Sequence, residues 1–548
     1  MKPTPTAEQL EILNAFPKHH VIKINAVAGS GKTSTLRMTA EANPLPSLYV
    51  CFNKQNAMEA SEKFPSHVTC RTMHSLAYAA FGRQMQHKLS SAFTHGEAYV
   101  NKGRSNTEIA KLYGIPDLRT SEDTVVTCRA TAGIVKLTVG RWQNSAFSEI
   151  QEHHVPSYKL KELAKSHPEL DIDKYTNIVL NFAKKLWADR IDLNSPVQAE
   201  HDTYLKLWQL SSPKLDFDVI YVDEAQDTNP VCLDILRKQS AKMVYVGDTY
   251  QSIYAFRQAV NAMEEIEAPT LVLSKSFRYG AAIAELATMV IRGAITVKGF
   301  EQIESTVGYN KSSKYTEIFR TNSGLLGRAV TLISQGVKVS ANIDTRKFEN
   351  QLNSALALYE GRLKDIKDDE IGLYSSWNEL LEVVEEQPEL KRISVIVAEG
   401  QTYRYLSAIK LVKLNKDDYD VLLTTGHKSK GMEWENVVIS DDFMPKFVLC
   451  DENDPLFNQQ EVNLFYVACT RAIKNLQIPN DFIKAFEKYK HGIDSAFKKV
   501  TRKCTSLEID NINMVFLGGG RLDSGNISPL SALFTPEEDW NHIDIPNH

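Results

Sequence analysis

The apolar run Val21 to Ile24 leads into Ala26-Val27-Ala28-Gly29-Ser30-Gly31-Lys32-Thr33, and a helix-patterned segment opens at Ser34. Small residues let the backbone curl until its N–H groups and the positive end of the following helix face an anion, so the stretch reads as a phosphate-binding loop. Lys32 then supplies charge to the β- and γ-phosphates of ATP, Thr33 holds Mg²⁺, and Ala28, Gly29, Ser30 and Gly31 line the cradle. The loop begins with Ala26 where the pattern has Gly, which is tolerated at negative φ. A strand, loop and helix in this order belong to an α/β fold with a parallel sheet, in which ligands sit outside the carboxyl ends of the strands. Similar loops occur in small-molecule kinases, so this one fixes nucleotide binding and leaves open what the nucleotide drives.

At 548 residues, with 43% apolar and 24% charged residues, the chain is expected to form two to four ordinary soluble domains. No stretch reaches the roughly 18 apolar residues of a membrane span, and Met1-Lys2-Pro3-Thr4-Pro5 lacks the apolar core of a signal peptide. A cytoplasmic, nucleoid-associated location without membrane contact is expected. The seven cysteines contain no CxxC pair, which argues against a disulfide framework and a zinc site. A net charge of −5 means that any nucleic-acid binding must rest on a local groove.

Several strand ends carry candidate ligand groups. Ser47 to Phe52 ends in Asn53-Lys54, and Val68 to Thr72 ends near His74; Asn53, Lys54, Thr72 and His74 are therefore placed for a second ligand beside the nucleotide. Phe217 to Val222 delivers Asp223 and Glu224, which suit Mg²⁺ binding and activation of the attacking water respectively. Met243 to Val246 leads to Gln251, a γ-phosphate sensor by position, and then to Tyr254, Phe256 and Arg257, which interleave aromatic faces with charge as single-strand binding sites do. After Leu271 to Leu273, Phe277 is placed to cover a base and Arg278 to reach a phosphate. Ahead of the loop, Gln9 lies on an amphipathic stretch and reads either as a surface glutamine or as a reader of an adenine edge.

Two stretches interrupt the sheet pattern. Residues 84 to 194 read as a helical insertion, in which Lys184, Lys185, Trp187 and Arg190 form either a basic, aromatic DNA-facing surface or a solvated helix edge. A second α/β unit starts near Tyr279. It is broken by a charged, helix-patterned segment at 342 to 392, after which Ile393 to Val397 is expected to resume as a strand. Beyond Lys499 the folding signal weakens.

The motif order resembles superfamily 1 helicases of the UvrD/Rep/PcrA type. It runs through Gln9, AVAGSGKT at 26 to 33, DEAQD at 223 to 227, VGDTYQSIYAFRQA at 246 to 259 and SFRYG at 276 to 280. FRTN at 319 to 322, TTGHKSKGMEWENVVI at 424 to 439 and LFYVACTRA at 464 to 472 complete it. CFNK at 51 to 54 and CRTMHSLAY at 70 to 78 resemble the F-box DNA helicase branch, with no F-box-like segment expected ahead of Gln9.

The resemblance implies two RecA-like parallel-sheet motor domains, each interrupted by a mainly helical insertion, with ATP and Mg²⁺ between them. Domain 1A would comprise residues 1–83 and 195–278, 1B residues 84–194, 2A residues 279–341 and 393–499, a short 2B residues 342–392, and a tail residues 500–548. It further implies that Gln9 is the Q-motif glutamine, that Arg278 and Arg471 approach the γ-phosphate, that Glu433 lies near the ribose, and that His427 belongs with the DNA-binding residues. The family commonly has Tyr at the position of Phe277 and Trp at that of Phe256; both changes keep a stacking face.

The expected activity is an ATP-driven translocase running 3′ to 5′ on single-stranded DNA and opening duplex at single-strand/double-strand junctions, in replication, recombination or repair. The alternative is a DNA-stimulated ATPase acting as a clamp or switch subunit of a repair, phage-replication or anti-phage complex. A protein partner through the tail is a further possibility, and the oligomeric state is left open.

Overall fold

The computed structural model describes residues 4–51, 53–89, 104–121, 125–254, 261–308, 312–384, 388–414, 418–443, 448 and 457–487. Phe256, Arg257 and the tail from 488 onward lie outside them. The described chain forms two compact units. The first comprises residues up to Val27, Gly31–Leu273 and Thr321–Leu423; the second comprises Ala28–Ser30, Ser274–Arg320 and the described residues from Thr424 onward.

A six-stranded parallel sheet organises the first unit. Its strands are β1 (Val21–Ala26), β2 (Ser47–Val50), β3 (Val68–Arg71), β6 (Val219–Val222), β7 (Lys242–Gly247) and β8 (Thr270–Leu273), in the order β3-β2-β6-β7-β1-β8. Both faces are covered, so β2 and β6 are buried along their whole length, whereas β1 alternates between buried and partly buried positions. Alternation sends side chains to two cores. Tyr49, Tyr221, Val244 and Val246 pack with Ile12, Phe16 and Leu36 on one face, and Leu48, Val50, Ile220, Val222 and Tyr245 pack with Leu205, Trp208 and Leu233 on the other.

Between β3 and β6 the chain forms helices Asn106–Tyr113, Cys128–Gln143, Ser157–Ser166 and Ile172–Ile191, together with a short antiparallel pair, β4 (Leu118–Arg119) and β5 (Val125–Val126). Trp187 and Arg190 do not form a DNA-facing surface here. Trp187 meets Trp142 edge to face with ring centroids 4.6 Å apart. Arg190 is buried, donating to both carboxylate oxygens of Glu200 at 2.6 and 3.0 Å and to Gln143 at 2.9 Å. Arg190 is thus an internal brace, because a guanidinium buried this deeply requires a paired carboxylate, whereas Lys184 and Lys185 are exposed on the same helix.

The strand expected at Ile393 to Val397 is instead part of helix Pro388–Ala398. Leu390, Ile393, Ile396 and Val397 are buried while Val395 is exposed, which is a helical spacing that a five-residue apolar run does not reveal. Helical structure continues through Thr402–Leu414, beyond the expected boundary at 392. A loop within this region docks on the first insertion: Arg129 donates to the carbonyls of Leu363 (3.2 Å) and Tyr374 (2.6 Å), and Lys159 donates to the Tyr374 hydroxyl at 2.9 Å.

The remaining strands are β9 (Thr306–Val307), β10 (Tyr315–Phe319), β11 (Val339–Asn342), β12 (Val421–Thr425), β13 (Trp434–Ile439) and β14 (Ala472–Gln477). They form a second six-stranded sheet, β11-β12-β10-β13-β14-β9, and the division between the units falls within β12. Its pairs β10·β13, β13·β14 and β14·β9 are parallel.

Candidate active site

The loop after β1 needs glycine at two points, since Gly29 and Gly31 lie at φ +75° and +79°, a left-handed region disfavoured for residues with a Cβ. Ala26 ends β1 outside that region, so the departure from Gly is tolerated. Gly31 caps helix Lys32–Ala42 without a side-chain hydrogen bond, leaving first-turn N–H groups and the positive helix end for an anion. The Ser30 hydroxyl is buried and has no hydrogen-bond partner. This donor set fits a nucleotide phosphate.

A Cβ at position 29 would stand 2.7 Å from both the Arg278 Cβ and the Ser276 Oγ. Gly29→Ala is therefore expected to weaken nucleotide binding at least about tenfold and lower the melting temperature. A fluorescent-nucleotide titration and a thermal melt check both effects, and wild-type values in each would contradict the assigned strain.

At the end of β6, Asp223 accepts hydrogen bonds on Oδ2 from the Thr33 hydroxyl (3.1 Å) and from the Tyr49 hydroxyl. Burial and the adjacent Glu224 carboxylate push the Asp223 carboxyl above the usual carboxylate range. Thr33 and Asp223 supply the oxygen ligands that Mg²⁺ prefers. A bound divalent cation there would neutralise charge on Asp223 and on the phosphates.

Glu224 sits in the left-handed region at φ 52°, ψ 44°, a conformation costing about 1 to 3 kcal/mol for a residue other than glycine. Several groups hold it. Its N–H donates to Asp223 Oδ1 at 2.9 Å, Lys32 Nζ stands 3.4 Å from its Oε1, and the Gln226 amide donates to its Oε2 at 2.6 Å. Gln226 Oε1 in turn accepts the Asp248 N–H at 3.0 Å, and Asp248 accepts the Gln251 amide at 2.7 Å. Lys32, Thr33, Asp223, Glu224 and Gln251 are thus brought together by three adjoining strand ends.

Gln9 is buried rather than on the surface; its amide accepts the Thr6 N–H at 2.9 Å and donates to Thr35 of the loop helix at 3.0 Å. Asn53 and Thr72 serve as helix N-caps, accepting the Asn56 N–H (2.8 Å) and the Ser75 N–H (3.1 Å). Lys54 is exposed at the start of the helix that Asn53 caps. His74 pairs with Asp202 at 3.0 Å and meets Tyr204 edge to face. A cavity of about 1270 Å³ within the first unit has Asp223, Glu224, His74, Tyr254, Arg141 and Arg346 among its lining residues.

In the second unit, Arg278 donates to Glu433 at 2.7 Å and to the Thr470 carbonyl at 3.2 Å. Arg471 is almost fully buried, with its guanidinium on the carbonyls of Val467 (2.8 Å) and Met432 (3.3 Å) and on the Thr470 hydroxyl (3.0 Å). Arg278 and Arg471 therefore both reach Thr470, and Glu433 pairs with Arg278. Phe277 is 38% exposed, meets Phe300 edge to face and donates its N–H to the Gly29 carbonyl at 2.8 Å. His427 is partly exposed in the short helix Gly426–Ser429.

Sequence reasoning missed Tyr49 and Gln226. Gln226 sits inside the DEAQD run, where its position offered a signal, whereas Tyr49 reaches Asp223 from the neighbouring strand and leaves no local trace.

Residues 6–267 match the UvrD/REP helicase N-terminal domain. The chain is 30% identical over 521 residues to F-box DNA helicase 1 of Gallus gallus, covering 86% of this chain and 48% of that protein. It is also 30% identical over 527 residues to F-box DNA helicase protein 1 of Schizosaccharomyces pombe, covering 87% of this chain and 57% of the relative.

The chain belongs to the UvrD/Rep helicase family.

The family's mixed α/β architecture with parallel sheets matches the fold described above. The chain spans about half the length of these two relatives, at 48% and 57% of each.

Proposed function

We propose that this UvrD/Rep family member is an ATP-dependent DNA helicase that moves 3′ to 5′ along single-stranded DNA and separates duplex at a junction. The observation that carries the reading is the assembly of Lys32, Thr33, Asp223 and Glu224 at the ends of β1 and β6, with Thr33 donating to Asp223 at 3.1 Å and Lys32 standing 3.4 Å from Glu224. Phosphoryl transfer requires chiefly positioning and charge neutralisation, and these residue types supply both.

Lys32 engages the β- and γ-phosphates, Thr33 and Asp223 hold Mg²⁺, and Glu224 orients water and accepts its proton. Gln251 senses the γ-phosphate, and Arg278 and Arg471 stabilise charge developing on it. Gln9, Phe277 and Glu433 bind the nucleoside portion. His74, Tyr254, Phe256 and His427 contact bases, while Asn53, Lys54, Thr72 and Arg257 organise the strand.

The test of the DNA grip is Phe256→Ala. Loss of one base stack is expected to weaken single-strand affinity by about 1 to 3 kcal/mol, nearly equally for different sequences, while basal ATPase activity is retained. DNA stimulation and strand displacement should both fall. A destabilised protein, or a stable one with normal DNA-stimulated turnover, would contradict the stacking role.

A further inference from the structure

We propose that Gln226 is a positioning residue for hydrolysis, fixing the Glu224 carboxylate and tying it to the turn that carries Asp248 and Gln251. Gln226 is fully buried, and its amide joins two elements. The nitrogen donates to Glu224 Oε2 at 2.6 Å, and the oxygen accepts the Asp248 N–H at 3.0 Å. Ser252 adds a hydrogen bond to the Gln226 carbonyl at 3.3 Å. The approach is close: a Cβ on Gly247 would lie 2.5 Å from Gln226 Oε1, so the end of β7 accommodates this amide because position 247 has no side chain.

The geometry explains how a strained Glu224 keeps one orientation. Its backbone is left-handed, and Lys32 is one of its partners. In the proposed function Lys32 turns to the phosphates during each cycle, whereas Gln226 is fully buried and can hold Oε2 throughout. The same amide carries a coupling route. Gln251 donates to the Asp248 carboxylate at 2.7 Å, so displacement of Gln251 moves Asp248, the Asp248 N–H moves Gln226, and Gln226 moves the carboxylate. Small misplacement of a reacting group costs about a hundredfold in rate.

The proposal rests on the base role of Glu224 given above, and the test separates the two. The amide nitrogen also donates to Asp227 at 3.4 Å, so Gln226→Glu keeps an oxygen for the Asp248 N–H and replaces the donor to Glu224 and Asp227 by a further carboxylate, whereas Gln226→Met keeps the length and removes all three bonds. In the full-length chain, both variants are expected to lower ATPase kcat by about 10- to 100-fold, with KM and the Kd for a fluorescent ATP analogue changed by less than about twofold. Adding Gln226→Met to Glu224→Gln should change the residual rate by less than about twofold, because the two effects pass through one carboxylate.

Wild-type kcat in Gln226→Glu, or losses that multiply in the double variant, would overturn the positioning role. So would nucleotide affinity that falls in step with kcat, or a Gln226→Glu protein that does not fold, since each marks a merely structural glutamine. Normal turnover by Glu224→Gln alone would instead sink the base role on which the proposal stands.

Discussion

Glu224→Gln is expected to lower turnover by about a hundred- to ten-thousandfold while ATP and Mg²⁺ still bind. The amide keeps the shape of the side chain and loses the capacity to take a proton from water. Because Lys32, Thr33 and Asp223 are untouched, the phosphate and cation contacts persist, and the variant should accumulate as a nucleotide-bound protein. Lys32→Ala is the contrast: it should abolish turnover and weaken nucleotide binding together, since it removes the charge that meets the phosphates. Equilibrium binding of a fluorescent ATP analogue, measured beside steady-state hydrolysis, distinguishes them. Equal loss of affinity in both variants would remove Glu224 from the base role.

Arg278→Ala should lower kcat about a thousandfold or more with only a modest change in KM, as expected for a guanidinium that acts on charge developing in the transition state. Arg278 is the cleaner of the two arginine probes. Arg471 has its guanidinium on two backbone carbonyls and the Thr470 hydroxyl, so Arg471→Ala is expected to lower the melting temperature as well as kcat, because three hydrogen bonds of a buried guanidinium are lost. Arg278→Lys should restore little activity, because an ammonium cannot reproduce a fork that reaches Glu433 and the Thr470 carbonyl together. Effects confined to KM, or recovery by lysine, would count against a transition-state role for Arg278.

The parts of this fold that were legible in the sequence are those whose signal is local. A continuously apolar strand needs both faces covered, and β2 and β6 announce themselves through Leu48-Tyr49-Val50 and Val219 to Val222, with Asp223 and Glu224 at the point where the apolar run stops. The turn after β1 was legible because its glycines meet a backbone requirement, which the φ values at Gly29 and Gly31 display. Ile393 to Val397 misled because Ile-Ser-Val-Ile-Val is too short to distinguish alternation from a helical stripe, and burial of Leu390 and Ile393 resolves it only in three dimensions. Trp187 and Arg190 misled for a different reason: their partners Trp142 and Gln143 lie on another helix, and Glu200 lies just ahead of a third. Asn53 and Thr72 carried a readable capping signal, being residues with side-chain acceptors immediately ahead of helices. The Gln226 bridge to Asp248 joins the ends of two adjacent strands, a pairing that sequence order does not display.

The measurement that bears most directly on the proposed motor is strand displacement by the full chain on 3′-tailed and 5′-tailed duplexes, with ATPase activity followed on the same sample with and without single-stranded DNA. ATP hydrolysis stimulated by single-stranded DNA and displacement of the 3′-tailed duplex in preference to the 5′-tailed one are expected. Stimulated hydrolysis with neither duplex opened would contradict the proposed motor and favour a clamp or switch.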